Sequence, residues 1–186
     1  MTDEMIDVVD DNDQVIGKKW KSVCHKTGLL HRTSTVFVFN SKGELLLQKR
    51  HPSKALYAGM WASSCAGHLL LGENYEECAI RELKEELDVT IDATKLAFIG
   101  KYKYETNNSC NDKEIYVIYL AHHDGPFNFE KSEMTEVKFF NINPLRKMMA
   151  ADPEQFAPAL FEEIEHYLNY IKMNELIRRN KVKKRL

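Results

Sequence analysis

No two of the four cysteines, Cys24, Cys65, Cys78 and Cys110, stand at CxxC spacing. That absence argues against a paired-cysteine redox or zinc motif. No signal-peptide pattern precedes them, so they are expected as free thiols in a reducing, cytoplasmic compartment. No apolar run approaches the roughly 20 residues that span a bilayer, so membrane insertion is not expected. An excess of one charge is missing too. Twenty-six Lys and Arg stand against 28 Asp and Glu, a net charge of −2, which gives no reason to expect nucleic acid as a partner. A phosphate-bearing small molecule would then be held by local Lys or Arg, or by a bound cation. Internal repeats and long low-complexity linkers are also lacking. The 186 residues are therefore expected to form one domain over residues 1–186, with an amino-terminal hairpin and a carboxy-terminal helix. None of these features sets an oligomeric state.

What is present reads as alternating strands and helices. Met5 to Val9 and Gln14 to Gly17 predict strands around a polar turn, and Lys18 to Lys26 a short helix broken by Gly28. Thr33 to Phe39 and Glu44 to Arg50 predict a hairpin whose continuous apolar body implies a sheet covered on both faces. Met60 to Ala66 reads as extended. Asn74 to Leu87 is the clearest helix, with Ala79, Ile80, Leu83 and Leu87 on its apolar face and Asn74 and Glu77 placed for a capping box. Strands are expected at Leu96 to Glu105, Glu114 to Ala121 and Val137 to Ile142, and helices at Pro144 to Met149 and Pro158 to Arg178. The last helix should bury a stripe of Phe161, Ile164, Leu168 and Ile171. A mixed sheet with helices on two faces makes an α/β/α sandwich.

The stretch Arg81-Glu82-Leu83-Lys84-Glu85-Glu86 carries the most chemistry. On a helix, Glu82 neighbours Glu85 at i+3 and Glu86 at i+4, and like charges at that spacing repel. A hard cation such as Mg²⁺ would relieve the repulsion; a solvated acidic face would tolerate it. The surrounding pattern bears on the choice. Gly67 is followed after five residues by Glu73, and after seven more by Arg81 and Glu82.

The segment Gly67 to Val89, GHLLLGENYEECAIRELKEELDV, resembles the Nudix hydrolase motif in every gap. It departs at Asp88, where the family usually has Gly; Asp tolerates the left-handed turn geometry that position needs. The resemblance implies a Nudix-type fold and Mg²⁺ or Mn²⁺ bound by Glu82, Glu85 and Glu86, with the Gly67 carbonyl as a further oxygen ligand and Glu73 either organising the helix start or sharing in the metal. It implies that Arg81 orients carboxylates and pairs with Glu73. It also implies that a glutamate, one of Glu82, Glu86 or Glu133, activates water for cleavage of a diphosphate linkage.

A second resemblance covers roughly residues 5–145. The segments HKTGLLHRTSTVFVFN, LLLQKR and AGMWASSCAGH look like isopentenyl-diphosphate isomerases and related hydrolases. It implies a second metal site, for Mn²⁺, Zn²⁺ or Mg²⁺, from His25, His31, His68, Asp112 and Glu114, with Asp112 standing where the isomerases usually carry Glu. Those isomerases also carry a catalytic Cys just before the Gly-His pair, and here that residue is Ala66. Cys65 should point to the opposite face of an extended strand. Loss of the thiol removes one of the two groups that isomerisation needs. The expectation is therefore a Mg²⁺-dependent hydrolase of a nucleotide or other small diphosphate, with the isomerase and a non-catalytic diphosphate binder as alternatives.

Lys49 and Arg50 end a strand near the expected pocket and, with Lys54, are candidate phosphate contacts; a solvated strand end would look the same. Trp61 and Tyr57 read as an apolar substrate wall or as core. Arg178, Arg179, Lys181, Lys183, Lys184 and Arg185 form a basic tail, read as a solvated helix end whose charge suits the helix dipole.

Overall fold

The computed structural model describes residues 3–106 and 111–183. Cys110 lies outside them, as do Lys184 and Arg185 of the basic tail. Strand β3 (His31–Phe39) is the hub, with every residue but Arg32 buried. It pairs in parallel with β8 (Lys113–His122) and antiparallel with β6 (Cys65–His68). Strand β4 (Leu45–Arg50) meets β3 only at Leu45 opposite Phe39. Beyond that point β4 pairs with β5 (Trp61–Ala62) and β9 (Met134–Phe140), while β7 (Ala97–Glu105) pairs with β8. β1 (Met5–Val9) and β2 (Val15–Trp20) form the amino-terminal hairpin, joined to β3 by Val8 opposite His31. Parallel and antiparallel neighbours together make the mixed sheet that the sequence predicts.

The alternation of β3 divides its residues between two helical layers. Val36 and Val38 pack with Leu46, Cys65, Val117 and the buried Ala79, Leu83 and Leu87 of α2 (Tyr75–Leu87). Phe37 and Phe39 face the other way, onto Leu145 and Met149 of α3 (Ile142–Ala151) and Leu160 and Ile164 of α4 (Pro158–Lys183). Each fully buried Leu or Phe contributes about 1.5–3 kcal/mol, against about 1 kcal/mol or less for an exposed ion pair. Apolar packing on both faces is what holds the sandwich closed.

Several boundaries differ from the sequence expectation for identifiable reasons. The ladder from Met5 opposite Trp20 draws Lys18 to Trp20 into β2, so α1 (Lys21–Thr27) starts three residues later than expected. Gly28 ends it in a left-handed conformation, φ 67°. Strand β9 starts at Met134 because it follows β4 along the whole of that strand. The Met60 to Ala66 stretch is not continuous; it breaks at Ser63 and Ser64 where β3 and β4 splay apart. The Ser64 hydroxyl fills the opening, accepting from Val38 N–H at 2.8 Å and donating to Leu46 C=O at 2.6 Å. Two backbone groups that have lost a ladder partner are thereby satisfied. On α4 the fully buried positions are Leu160, Glu163 and Ile164; Phe161, Leu168 and Ile171 are only half-buried. A charged residue inside the stripe was not expected.

Candidate functional sites on two faces of one strand

The first site begins with the capping of α2. Asn74 accepts from the N–H groups of Glu76 and Glu77 at 3.0 Å each, and Glu77 accepts from Asn74 N–H at 2.9 Å. The capping box is as predicted. Asp88 ends the helix with φ 56°, its N–H reaching Lys84 C=O and that of Val89 reaching Leu83 C=O. The Gly-to-Asp departure therefore leaves the helix end intact, and the Asp88 side chain also pairs with Lys84.

Gly67 lies directly under this helix. A Cβ there would stand 1.8 Å from Glu82 Oε1, so the close approach of β6 to α2 needs glycine. The Gly67 carbonyl accepts from the Cys78 thiol at 3.4 Å. Arg81 ties the acids together. It donates to both oxygens of Glu73 at 2.8 and 2.9 Å, to Glu82 at 2.6 Å and to Glu85 at 3.1 Å. It also reaches His68 C=O at 2.9 Å. One guanidinium thus offsets part of the repulsion that the sequence left to a cation or to solvent. Glu86, 8% exposed, accepts from Gln48 at 3.2 Å. Burial drives its pKa well up, and the nearby charges of Glu82 and Glu133 add to this.

The expected substrate contacts are placed around the same edge. Lys54 pairs with Glu133, joining the loop after β4 to the residue before β9. Arg50 Nε donates to Leu56 C=O at 3.1 Å. Lys49 lies 5.7 Å over the Trp61 ring, and Trp61 itself is buried with its ring edge-on to Phe140 at 5.1 Å. Trp61 therefore serves the core that β5 closes. Cys65 is fully buried on the α2 face, opposite to Ala66 and His68 as expected, and burial raises its pKa well above that of a free thiol.

The second site lies on the other face. His25 comes from α1, His31 opens β3 and His68 ends β6, with ring centroids 5.0 to 5.1 Å apart. His25 Nε2 and His68 Nε2 are 2.9 Å apart. His31 Nδ1 stands 2.8 Å from Leu29 C=O. A carbonyl can only accept, so Nδ1 carries the proton and Nε2 presents a lone pair. That lone pair faces Asp112 Oδ1 and Glu114 Oε1, each at 3.9 Å. His31 Nε2 and Asp112 Oδ1 are both buried with no hydrogen bond among the described residues. The distance is too long for a hydrogen bond and suits two ligands of one ion. Donor atoms of His25, His31 and His68 all lie within 4.8 Å of one another, as do those of His31, Asp112 and Glu114. Burial lowers the pKa of His25 to about 4 and also depresses those of His31 and His68. The rings are therefore neutral, the form that ligates a metal. Burial raises Asp112 and Glu114 to about 7. Imidazole and carboxylate donors together fit a divalent cation of intermediate softness.

Sequence reading missed the residues that hold this set in place. Thr33 donates to Glu114 at 2.9 Å, Leu29 fixes His31, and Glu163 lies beyond them. The signal was available in β3. His31, Thr33 and Thr35 stand at every second position of the polar first half of β3, and so share one face.

A helix-covered mixed sheet, with a glycine strand beneath an arginine-anchored acidic helix, defines the class of Nudix-fold proteins, whose enzymes generally use divalent metals such as Mg²⁺ or Mn²⁺. The NUDIX domain profile matches residues 29–160, and the chain belongs to that family. It is 33% identical to isopentenyl-diphosphate Delta-isomerase 2 of Photorhabdus laumondii, over 93% of this chain and 97% of the relative. It is 34% identical to isopentenyl-diphosphate Delta-isomerase of Serratia proteamaculans, over 83% and 86%. Among solved structures, DR0079 from Deinococcus radiodurans superposes with a TM-score of 0.76 at 27% identity, covering 87% of this chain and 98% of that one. These relatives overturn the hydrolase expectation, which rested on the Gly67 to Glu86 motif together with Ala66 in place of the thiol. Likeness to proteins named as isomerases runs through nearly the whole chain.

Proposed function

We propose that the chain catalyses a metal-dependent isomerisation of isopentenyl diphosphate. The observation that carries this reading is that buried His31 belongs to two groups of ligand-type residues at once, His25, His31 and His68 and His31, Asp112 and Glu114, with no hydrogen bond to His31 Nε2 or Asp112 Oδ1 among the described residues. These five residues would hold Mn²⁺, Zn²⁺ or Mg²⁺. Glu82, Glu85 and Glu86, with Mg²⁺, and the cations Arg50 and Lys54 are the groups for the diphosphate end. A bound divalent ion supplies positive charge that offsets the diphosphate and the buried carboxylates. The chain supplies position and protons. Isomerisation places one proton on the terminal alkene carbon and removes one from the methylene between the alkene and the diphosphate-bearing carbon. Buried carboxyl groups with raised pKa values suit such transfers near neutrality. Among the described residues no helix is long and apolar enough to cross a membrane. A cytoplasmic place goes with this reading, since the thiols of Cys24, Cys65 and Cys78 are free and buried.

The test is incubation with isopentenyl diphosphate, Mn²⁺ and Mg²⁺ in D₂O, followed by NMR. The expected result is deuterium in the substrate pool and dimethylallyl diphosphate as product. Folded, metal-loaded protein that gives neither would overturn the proposal.

A further inference from the structure

Ala66 leaves the isomerase reading one proton-transfer group short, and a buried glutamate stands next to the gap. Glu163 is 5% exposed on the inner side of α4, a position where burying a carboxyl is costly unless it is hydrogen-bonded. Both of its oxygens are engaged. Thr35 Oγ1 donates to one at 3.0 Å, and Ser63 Oγ donates to the other. Thr35 is the ladder partner of Ala66, and ladder partners present their side chains on the same face. Ala66 is exposed, although Thr35 and the adjoining Cys65 are buried at 3% and 0%. The sheet is therefore open above Ala66, with Glu163 at its rim.

The arrangement repeats one step along β3. Thr33 is the ladder partner of His68 and donates to Glu114. Thr35 is the ladder partner of Ala66 and donates to Glu163. Two carboxyls are thus held side by side by alternate threonines of one strand, the first at the histidine cluster and the second at the position where related isomerases carry a thiol. Burial holds the Glu163 pKa above the ordinary carboxylate range, against the lowering pull of the Ser63 and Thr35 hydroxyls. The titratable groups in its electrostatic reach are Glu162 on its own helix and Glu114 and Tyr116 on β8.

We propose that Glu163 is a catalytic residue of the isomerisation, supplying at the Ala66 gap the proton transfer that a thiol supplies in the related isomerases; this rests on the isomerase reading. In the forward direction the Glu163 carboxylate takes a proton from the methylene next to the alkene. The C–H electron pair becomes the new double bond. The old π pair takes a proton at the terminal carbon from a protonated acid or water of the site, and Glu163 returns its proton to water above Ala66.

The test compares wild type, Glu163→Gln and the double variant Glu163→Gln, Ala66→Cys in the deuterium assay, with Mn²⁺ binding and circular dichroism alongside. Loss of one acid–base group should lower kcat by about 100-fold or more, with KM and Mn²⁺ affinity within about twofold. Restoring a thiol in the double variant should recover at least about 10-fold of that loss, which a purely structural role of Glu163 would not allow. Wild-type turnover in Glu163→Gln, or a loss that the thiol does not recover, overturns the proposal while leaving the isomerase reading standing. An inactive wild type sinks both. Should Glu163→Gln fail to fold, Ala66→Cys alone decides. A thiol added beside a working Glu163 changes kcat by less than about twofold, whereas a gain above about 10-fold shows that the site lacked a proton group and overturns the assignment.

Discussion

The two faces of β3 handle buried charge in opposite ways. On the α2 face, acids are met by a protein cation. Arg81 spans Glu73, Glu82 and Glu85 and is pinned to His68 C=O. On the α4 face, His31, Asp112 and Glu114 meet no such partner; burial drives the imidazole and the carboxyls toward their neutral forms. The first arrangement locks β6 to α2 through Arg81, with Glu86 held instead by Gln48. The second keeps lone pairs unspent at ligand spacing. Residues of similar type therefore do different work, and their partners, rather than their charges, decide which.

Breaking the first face should cost the most stability. Arg81→Met leaves Glu82 buried beside Glu73 without its cation, and should destabilise the fold by about 3–5 kcal/mol in urea denaturation. His31→Ala attacks the second face instead. It should lower Mn²⁺ affinity in calorimetry by at least about 100-fold, more than loss of an outer partner of a ligand costs, while the helix content stays unchanged. Gly67→Ala tests the contact of β6 with α2 on the first face. The new Cβ displaces Glu82 from Arg81, and about 1–3 kcal/mol of stability should be lost.

Acidity sharpens the same contrast. Asp112 and Glu114 have folded pKa values of about 7, above the ordinary carboxylate range. Their contribution to stability is fully present below about pH 4 and is lost as pH rises through 7. His25 has a folded pKa of about 4, below its unfolded value, so its contribution is lost only as pH falls from about 6.5 toward 4. Between pH 6.5 and 8 the acids alone change. Metal-free protein should therefore lose roughly 1 kcal/mol per pH unit around pH 7, and the loss should fade out above about pH 8, where both states are deprotonated. Saturating Mn²⁺, which binds the deprotonated acids, should reverse that slope in thermal denaturation. The smallest effect expected is that of Asn74→Ala, about 1 kcal/mol from loss of the helix cap.

Much of the fold was legible because it is local. Apolar runs located β3 and β4, and Asn74 with Glu77 located the start of α2. The splay between β3 and β4 was hidden, since it depends on the Ser64 hydroxyl bridging strands that meet only in three dimensions. The site was legible in its residues and less so in its chemistry. Spacing showed that Glu82, Glu85 and Glu86 repel, and the motif implied the Arg81 pairing with Glu73 that the structure shows; the reach of Arg81 across Glu82 to Glu85 was not legible. Glu163 was invisible because a stripe drawn from apolar residues omits a charge. The step from the acidic-helix motif and Ala66 to hydrolysis failed because that motif marks the fold and is equally present in a chain whose relatives are named as isomerases.

The central claim is that the histidine-lined face, and not the acidic helix alone, receives a divalent ion. Pulsed electron paramagnetic resonance of bound Mn²⁺ reads its ligands directly. Couplings to imidazole nitrogen that disappear in His31→Ala are predicted. Mn²⁺ coordinated by oxygen alone, unaffected by His31→Ala and abolished by Glu86→Gln, would contradict the account.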